Sequence, residues 1–400
     1  LGGAHLAVEE VSILATKTLE DARIGGSPLE KSTRYVSFGQ KVAGDYRFYK
    51  EPRLLDSRHR ERYLNACRTL FDTYDQLNEP IREYVRSRLP RDPNTPEAAY
   101  ERSVRALGFD FIRGLLPAAT LTNMGVFGNG RFFESLISRL HIEPLQEFQD
   151  IAQASWEELA KVAPSFIRRA HPDHRHFQGY AAFMEAQRQK IQSIAEQLEQ
   201  GSAEPLSLPI GTSGKVRLVE WDADAEIKLL AALLYEHTAL PLQQVQEQVR
   251  QLPDAERERI VRESIALREH RRHKPPRALE RVFYTFDLLG DYGMYRDLHR
   301  HRMLTQWRQP LTTRFGYNTP VELEDAGLAQ PYHAAMAQAA ATFEAIAVDY
   351  PHEAQYVVPM AYRIRWAMHI NLRALLWLVE LRSTPQGHPG YRHIAQELFR

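Results

Sequence analysis

The sequence predicts a helix-rich chain with a few short strands, built as two diverged copies of one unit. Three observations predict this. The chain has 400 residues, more than one ordinary core of roughly 100–200 residues accommodates. Helical periodicity dominates its length. Two short motifs recur in the same order in its two halves.

Residues 57–88 and 133–199 place apolar residues three and four apart with charged residues between them, and 223–272 and 330–348 do the same. Strand-like segments are fewer and shorter: Thr33–Phe38, Arg217–Trp221 and Val282–Leu288. Residues 200–215 gather Gly, Ser and Pro between a charged helix and a new segment, and read as a linker. The expected domains are therefore 1–199 and 216–400. Across them, Thr33-Arg34-Tyr35 recurs as Thr313-Arg314-Phe315. Leu116-Pro117 precedes Asn129-Gly-Arg131 just as Val358-Pro359 precedes Asn371-Leu-Arg373, with the same Pro-to-Asn gap. The interval between the two motifs is longer in the first half, which places an insertion there, near 57–95.

Composition narrows the function classes. Hydrophobic residues make up 44% and charged residues 26%, a globular rather than a disordered balance. Lys+Arg and Asp+Glu are both 51, so no global field draws nucleic acid or a membrane surface, and an anionic ligand must be held by local arginines. No apolar run approaches ~18 residues, and the N-terminus shows no secretory pattern. The single cysteine, Cys67, excludes an intrachain disulfide and a thiolate metal cage. It fits a reducing, cytoplasmic setting. Its helical neighbours from Tyr63 to Phe71 make it a core thiol rather than a nucleophile.

Four segments carry candidate chemistry. Arg300-His301-Arg302 follows a strand-like stretch; it is either a solvated basic helix end or a segment that turns an Arg into a ligand pocket. In Ser27–Tyr35, Glu30, Ser32 and Arg34 alternate, so an extended loop would put an acceptor, a hydroxyl and a guanidinium on one face. The plain alternative is a loop with a cap at Ser32. Arg363–Arg373, continuing to Arg382, is apolar enough to be a buried helix yet carries four arginines. Arg is rarely buried without a partner, so a buried anion is the expected reason. His171, His174 and His176 have metal-like spacing, but Pro172 and the neighbouring Arg168, Arg169 and Arg175 make a surface loop the better reading, and no metal is expected.

Together these segments resemble the flavin-dependent thymidylate synthase (ThyX) family, in both halves. The family signature is Arg-His-Arg, seven residues, then Ser, within a longer pattern ending Asn-Glu-x-Ser-x-Arg-Tyr. The second half has Arg300-His301-Arg302, with Tyr284-Thr-Phe286 upstream resembling the family's Phe-Thr-Phe strand. Pro310 stands where Ser belongs, Trp307-Arg308 replaces Asn-Glu, and Arg281 follows Glu280 where the family has His. The first half has Ala22-Arg23-Ile24 in place of Arg-His-Arg but keeps Ser27, Glu30, Ser32, Arg34 and Tyr35. Downstream, the second half keeps Pro359, Arg365, Asn371, Arg373, Leu381 and Arg382. The first keeps Pro117, Thr122, Asn129 and Arg131, with Asn123 at the nucleotide-binding Arg position.

The resemblance implies an α+β fold of two tandem ThyX-like domains with small mixed sheets. It also implies a homodimer mimicking the family's four-domain tetramer, with composite sites drawing one loop from each kind of domain. The implied activity is FAD-dependent C5-methylation of a uracil nucleotide, with methylenetetrahydrofolate giving the carbon and NADPH-reduced FAD the hydride. By the same resemblance, Glu30, Ser32, Thr33 and Arg34 bind the nucleotide. Arg365 and Arg382 bind it too and act catalytically by neutralising charge on the uracil. Arg300, His301, Arg302, Asn371, Arg373 and Arg281 hold the flavin. The departures at Trp307, Arg308, Pro310 and Asn123 place UMP ahead of dUMP, as in the relative that methylates UMP in polyoxin-type nucleoside antibiotic biosynthesis. Two further readings remain: a flavin or nucleotide binder without turnover, and a helical interaction protein, which the buried arginines disfavour.

Overall fold

The computed structural model describes residues 2–200, 215–385 and 387–400. Nine strands occur among them: β1 (Gly3–Ser12), β2 (Gly26–Glu30), β3 (Lys41–Val42), β4 (Asp45–Tyr46), β5 (Leu121–Asn129), β6 (Lys215–Trp221), β7 (Phe283–Asp291), β8 (Leu304–Arg308) and β9 (Arg363–Asn371). One sheet runs β1-β5-β2, another β6-β7-β9-β8, and β3-β4 is a small hairpin. Helices supply most of the rest, so the fold is the helix-rich α+β class expected. The pairings β1–β5, β2–β5, β6–β7 and β8–β9 are all antiparallel.

The two larger sheets repeat one design. In the first, β1 ends on Ser12, whose hydroxyl caps the helix Ile13–Glu20 by accepting the Ala15 N–H, and the chain returns as β2. The central strand β5 ends on Asn129, which caps Gly130–His141. In the second, β7 ends on Asp291, which caps Tyr292–Leu298, and the chain returns as β8. The central strand β9 ends on Asn371, which caps Leu372–Arg382. All four caps are short polar side chains that satisfy an orphan N–H of the first turn. Gly26 pairs Gly128 as Leu304 pairs Ile370. That register puts Ala22-Arg23-Ile24 opposite Arg300-His301-Arg302 in the repeat. The second sheet adds β6 at its edge.

Packing does not follow the linear halves. One compact unit combines residues 2–200 with Pro310–Arg363; the other combines 215–309 with Ile364–Arg400. In the first unit the helix Arg60–Arg88 packs on both Glu97–Ile112 and Ala329–Ala347. The first copy thus has two long helices between its second and central strands where the second copy has one. In the second unit Ile227, Leu230 and Ala231 pack against Val245 and Val249, and Ile364, Trp366, Met368 and Ile370 of β9 point into the core. The linker expected at 200–215 lies outside the described residues apart from its ends.

Two segments differ from expectation. Arg363–Asn371 is a strand, not a buried helix: from Ile364 to Ile370 its buried residues fall at every second position, the period of a strand, and only the following Leu372–Arg382 is helical. Thr33–Phe38 is a turn, not a strand. The Ser32 hydroxyl accepts the Arg34 N–H at 3.2 Å, a local bond that competes with sheet pairing. The sheet ends instead at β2, just before this segment. Cys67 is fully buried in Arg60–Arg88, and burial pushes its thiol far above the usual range. Among the described residues no helix is long and apolar enough to cross a membrane.

Candidate functional site

The second unit holds a cavity of about 590 Å³, within the usual ~300–1,000 Å³ of ligand pockets. Three stretches wall it. The first is Arg300-His301-Arg302, which lies between the end of helix Tyr292–Leu298 and the start of β8. The second is the cap and one face of helix Leu372–Arg382, contributing Asn371, Arg373, Trp377, Glu380 and Arg382. Positions 373, 377 and 380 fall on one face by helical spacing. The third is the segment from Arg268 to Glu280, contributing Arg268, Arg271, Arg272 and Lys274.

His301 and Arg382 form the inner contact. Arg382 Nε donates to His301 Nε2 at 3.0 Å. A guanidinium can only donate, so His301 Nε2 carries no proton and Nδ1 is the protonated nitrogen of the neutral ring. Burial, then the adjacent Arg382 charge, pushes His301 down to about 3. Burial also lowers Arg382, whose guanidinium lies 5.4 Å from the centre of the Tyr391 ring. The triplet therefore splits by position. His301 is turned inward, while Arg300 and Arg302 are exposed at the cavity.

Two carboxylates on the rim are already engaged. Glu380 receives both ends of the Arg268 fork at 2.6 and 2.7 Å. Glu280 accepts from Arg373 at 2.6 Å and from Arg277 at 3.2 Å, and both arginines hold its carboxyl below the usual range. Asn371 Oδ1 is used as the helix cap, accepting the Ala374 N–H at 2.9 Å. Trp377 is 45% exposed, a flat apolar surface beside Leu376 and Leu381 on a wall that also carries the cations.

Of the residues expected to hold the cofactor, the fold brings Arg300, His301, Arg302, Asn371 and Arg373 into this cavity, together with Arg382. It places Arg281 elsewhere: exposed at the end of the Arg277–Arg281 turn, where its charge adds to the Lys228 hydrogen bond that chiefly lowers Asp222. Arg365 lies on β9 and pairs with Asp287 at 3.3 Å, and is not among the cavity-lining residues. Sequence reasoning missed Arg268, Arg271, Arg272, Lys274, Glu280, Trp377 and Glu380. The run Arg268-Glu-His-Arg-Arg-His-Lys274 was the available signal, a dense block of cations preceding the strand.

The expected nucleotide loop stands in the first unit. There the Glu30 carboxylate is fully buried, accepting from Thr16 at 2.9 Å and from Lys17 at 3.0 Å. Arg34 forks onto Asp110 at 2.8 and 2.6 Å, and Arg113 lies 3.8 Å from the same carboxylate. Thr33 is buried and Ser32 serves the turn. These side chains are tied into their own unit. His171, His174 and His176 form local turns, with His171 Nδ1 accepting the Asp173 N–H and His174 Nδ1 the His176 N–H. Among the described residues no group of three or more His, Cys, Asp or Glu is placed to hold a metal.

A family model for the thymidylate synthase complementing protein matches residues 2–165 and again 217–400. A UPF0159 protein of Chlamydia pneumoniae is 49% identical over 400 residues, spanning 100% of this chain and 74% of that protein. A UPF0159 protein of Thermoplasma acidophilum is 33% identical over 421 residues, spanning 99% of this chain and 81% of that one. Among solved structures, the flavin-dependent thymidylate synthase ThyX of Helicobacter pylori complexed with FAD and dUMP aligns at 18% identity with a TM-score of 0.35. It covers 46% of this chain and 92% of that chain. The double match, in step with the repeated strand–cap–helix design of the two sheets, shows that this chain belongs to the thymidylate synthase complementing (ThyX) family and carries its domain twice.

Proposed function

We propose that the chain is an enzyme that methylates carbon 5 of a uracil nucleotide, with FAD held in the cavity of the second unit. The observation that carries this reading is the lining of that cavity: cationic side chains on two separate segments for phosphates, and an exposed Trp377 for a flat ring. The residues fit the group. When bound, FAD reduced by NADPH supplies hydride, and methylenetetrahydrofolate supplies the one-carbon unit.

The chain's own residues bind, orient and polarise. Arg300 and Arg302 take phosphate. Neutral His301 holds Arg382 by accepting from its Nε, which fixes the guanidinium plane. Arg382, partly stripped of water, stabilises negative charge on the pyrimidine as carbon 5 becomes nucleophilic. Arg373, braced by Glu280, and the Asn371 cap set the start of the same helix. No cysteine nucleophile is needed, in keeping with the burial of Cys67. The substrate is UMP ahead of dUMP, and the working form is a homodimer.

The test is a turnover assay with FAD, NADPH and methylenetetrahydrofolate, run in parallel on UMP and dUMP. Methylated product from either supports the reading, and the ratio assigns the nucleotide. Flavin bound and bleached by NADPH without methylation would leave a binder instead. Failure to retain any flavin after FAD is added would sink the proposal. Size-exclusion with light scattering reads the dimer.

A further inference from the structure

We infer that Arg268–Pro275 is a strap that recognises phosphate and makes the second-unit cavity select a diphosphate over a monophosphate. The inference rests on the proposed function only for the identity of the natural ligand, a flavin dinucleotide.

The strap joins helix Asp254–Ile265 to the turn Arg277–Arg281 and is clamped at both ends. At its start, Arg268 forks onto Glu380 and donates through Nε to the His273 carbonyl at 2.8 Å. At its end, Arg373 Nε donates to the Pro275 carbonyl at 3.1 Å. Between the clamps, the His273 N–H donates to the His270 carbonyl at 2.9 Å. His270 Nδ1 accepts the Arg272 N–H at 3.2 Å, and the two imidazole rings stand 3.9 Å apart. These bonds give the strap a shape without using its cationic ends. Arg271, Arg272 and Lys274 remain exposed and line the cavity.

Both rim carboxylates are occupied, Glu380 by Arg268 and Glu280 by Arg373 and Arg277. The strap cations are therefore not neutralised from the rim. The cavity carries a second cationic segment, Arg300 and Arg302, from a different part of the chain. One phosphate monoester offers three terminal oxygens, and a single guanidinium can engage two of them. The two cationic segments together carry four guanidinium groups and one ammonium, which exceed what one phosphoryl group accepts and match two.

Calorimetry with inorganic pyrophosphate and inorganic phosphate on the full chain tests this directly. The unaltered chain binds pyrophosphate about tenfold or more tightly than phosphate, given the strength of charge-assisted hydrogen bonds. Arg271→Ala/Arg272→Ala/Lys274→Ala removes that preference and changes phosphate affinity by less than about threefold. Because all three side chains are exposed, the fold is kept, and circular dichroism checks this. Glu380→Gln, which loosens the clamp, shifts the preference in the same direction by a smaller factor. No preference in the unaltered chain, or a preference surviving in the triple variant, overturns the strap. FAD titration separates the two readings. Pyrophosphate selected but FAD not bound removes the flavin reading and leaves the strap. FAD bound with the preference intact in the triple variant does the reverse.

Discussion

Pro117 and Pro359 face each other across an antiparallel bridge in the first unit. The Ala118 N–H donates to the Val358 carbonyl and the Met360 N–H to the Leu116 carbonyl, both at 2.9 Å. One step out, Ala119 donates to Tyr356 at 2.8 Å and Ala361 to Gly114 at 2.9 Å. Each bond has its mate at one constant offset along the chain, so the two copies of the repeated motif meet about a local twofold axis. The repeated motif thus presents the same backbone groups from both copies.

Gly114 sits where this pairing is tightest. A Cβ there would stand 2.6 Å from the Tyr332 hydroxyl and 3.1 Å from Ala361 Cβ, and Tyr332 is fully buried with its hydroxyl on the Asn318 carbonyl. Gly114→Ala is expected to cost about 1–3 kcal/mol by overpacking. Urea unfolding measures it; an unchanged midpoint would show that Tyr332 moves freely.

In the first copy the place equivalent to the cavity wall is filled by an aromatic side chain, so the proposed flavin site occurs once. Ala374, three residues past the capping Asn371, lines the cavity. Its counterpart past Asn129 is Phe132, which is 6% exposed and whose ring occupies the space above Gly26 and Gly128. One flavin per chain is the expected stoichiometry. Absorbance of bound flavin against protein after gel filtration gives it, and two per chain would contradict this account.

Arg34 is expected to act first on stability. Its fork holds Asp110, which is 4% exposed. Arg34→Ala removes that fork and leaves Arg113 at 3.8 Å from the carboxylate, at a cost of about 2–4 kcal/mol. Arg34→Lys restores the charge but not the fork and recovers part of it. A raised KM at unchanged Tm would instead assign Arg34 to the nucleotide.

Glu51 carries a pH dependence of known sign. Its side chain is buried, Oε2 has no hydrogen-bond partner among the described residues, and burial raises it from 4.5 to about 7. Between pH 4.5 and 7 the folded chain keeps a proton that the unfolded chain has lost, so this group's contribution falls as pH rises. Glu147, raised to about 6 by burial, has the same sign. His301, lowered to about 3, has the opposite sign, its contribution rising with pH from 3 to 6.5. Glu51→Gln is therefore expected to gain about 1–3 kcal/mol relative to the unaltered chain between pH 5 and pH 8. The difference between paired denaturation curves isolates it; a pH-independent difference would place Glu51 in the ordinary range.

By itself the sequence determined the duplication, the helices and the triplet Arg300-His301-Arg302. Each is written in residues close together in the chain, as a period, a motif or a charge run. It also held the alternation of β9, where Ile364, Trp366, Met368 and Ile370 take every second place, although the apolar character of the stretch resembles a helix as much as a strand. Only the tertiary structure decided that His301 is neutral, because that needs burial and the approach of Arg382 from another helix. Only it brought Arg268–Lys274 to the cavity and turned Glu30 onto Lys17. It alone drew Pro310–Arg363 into the first unit, because Pro359 finds its antiparallel partner at Pro117, in the other half of the chain.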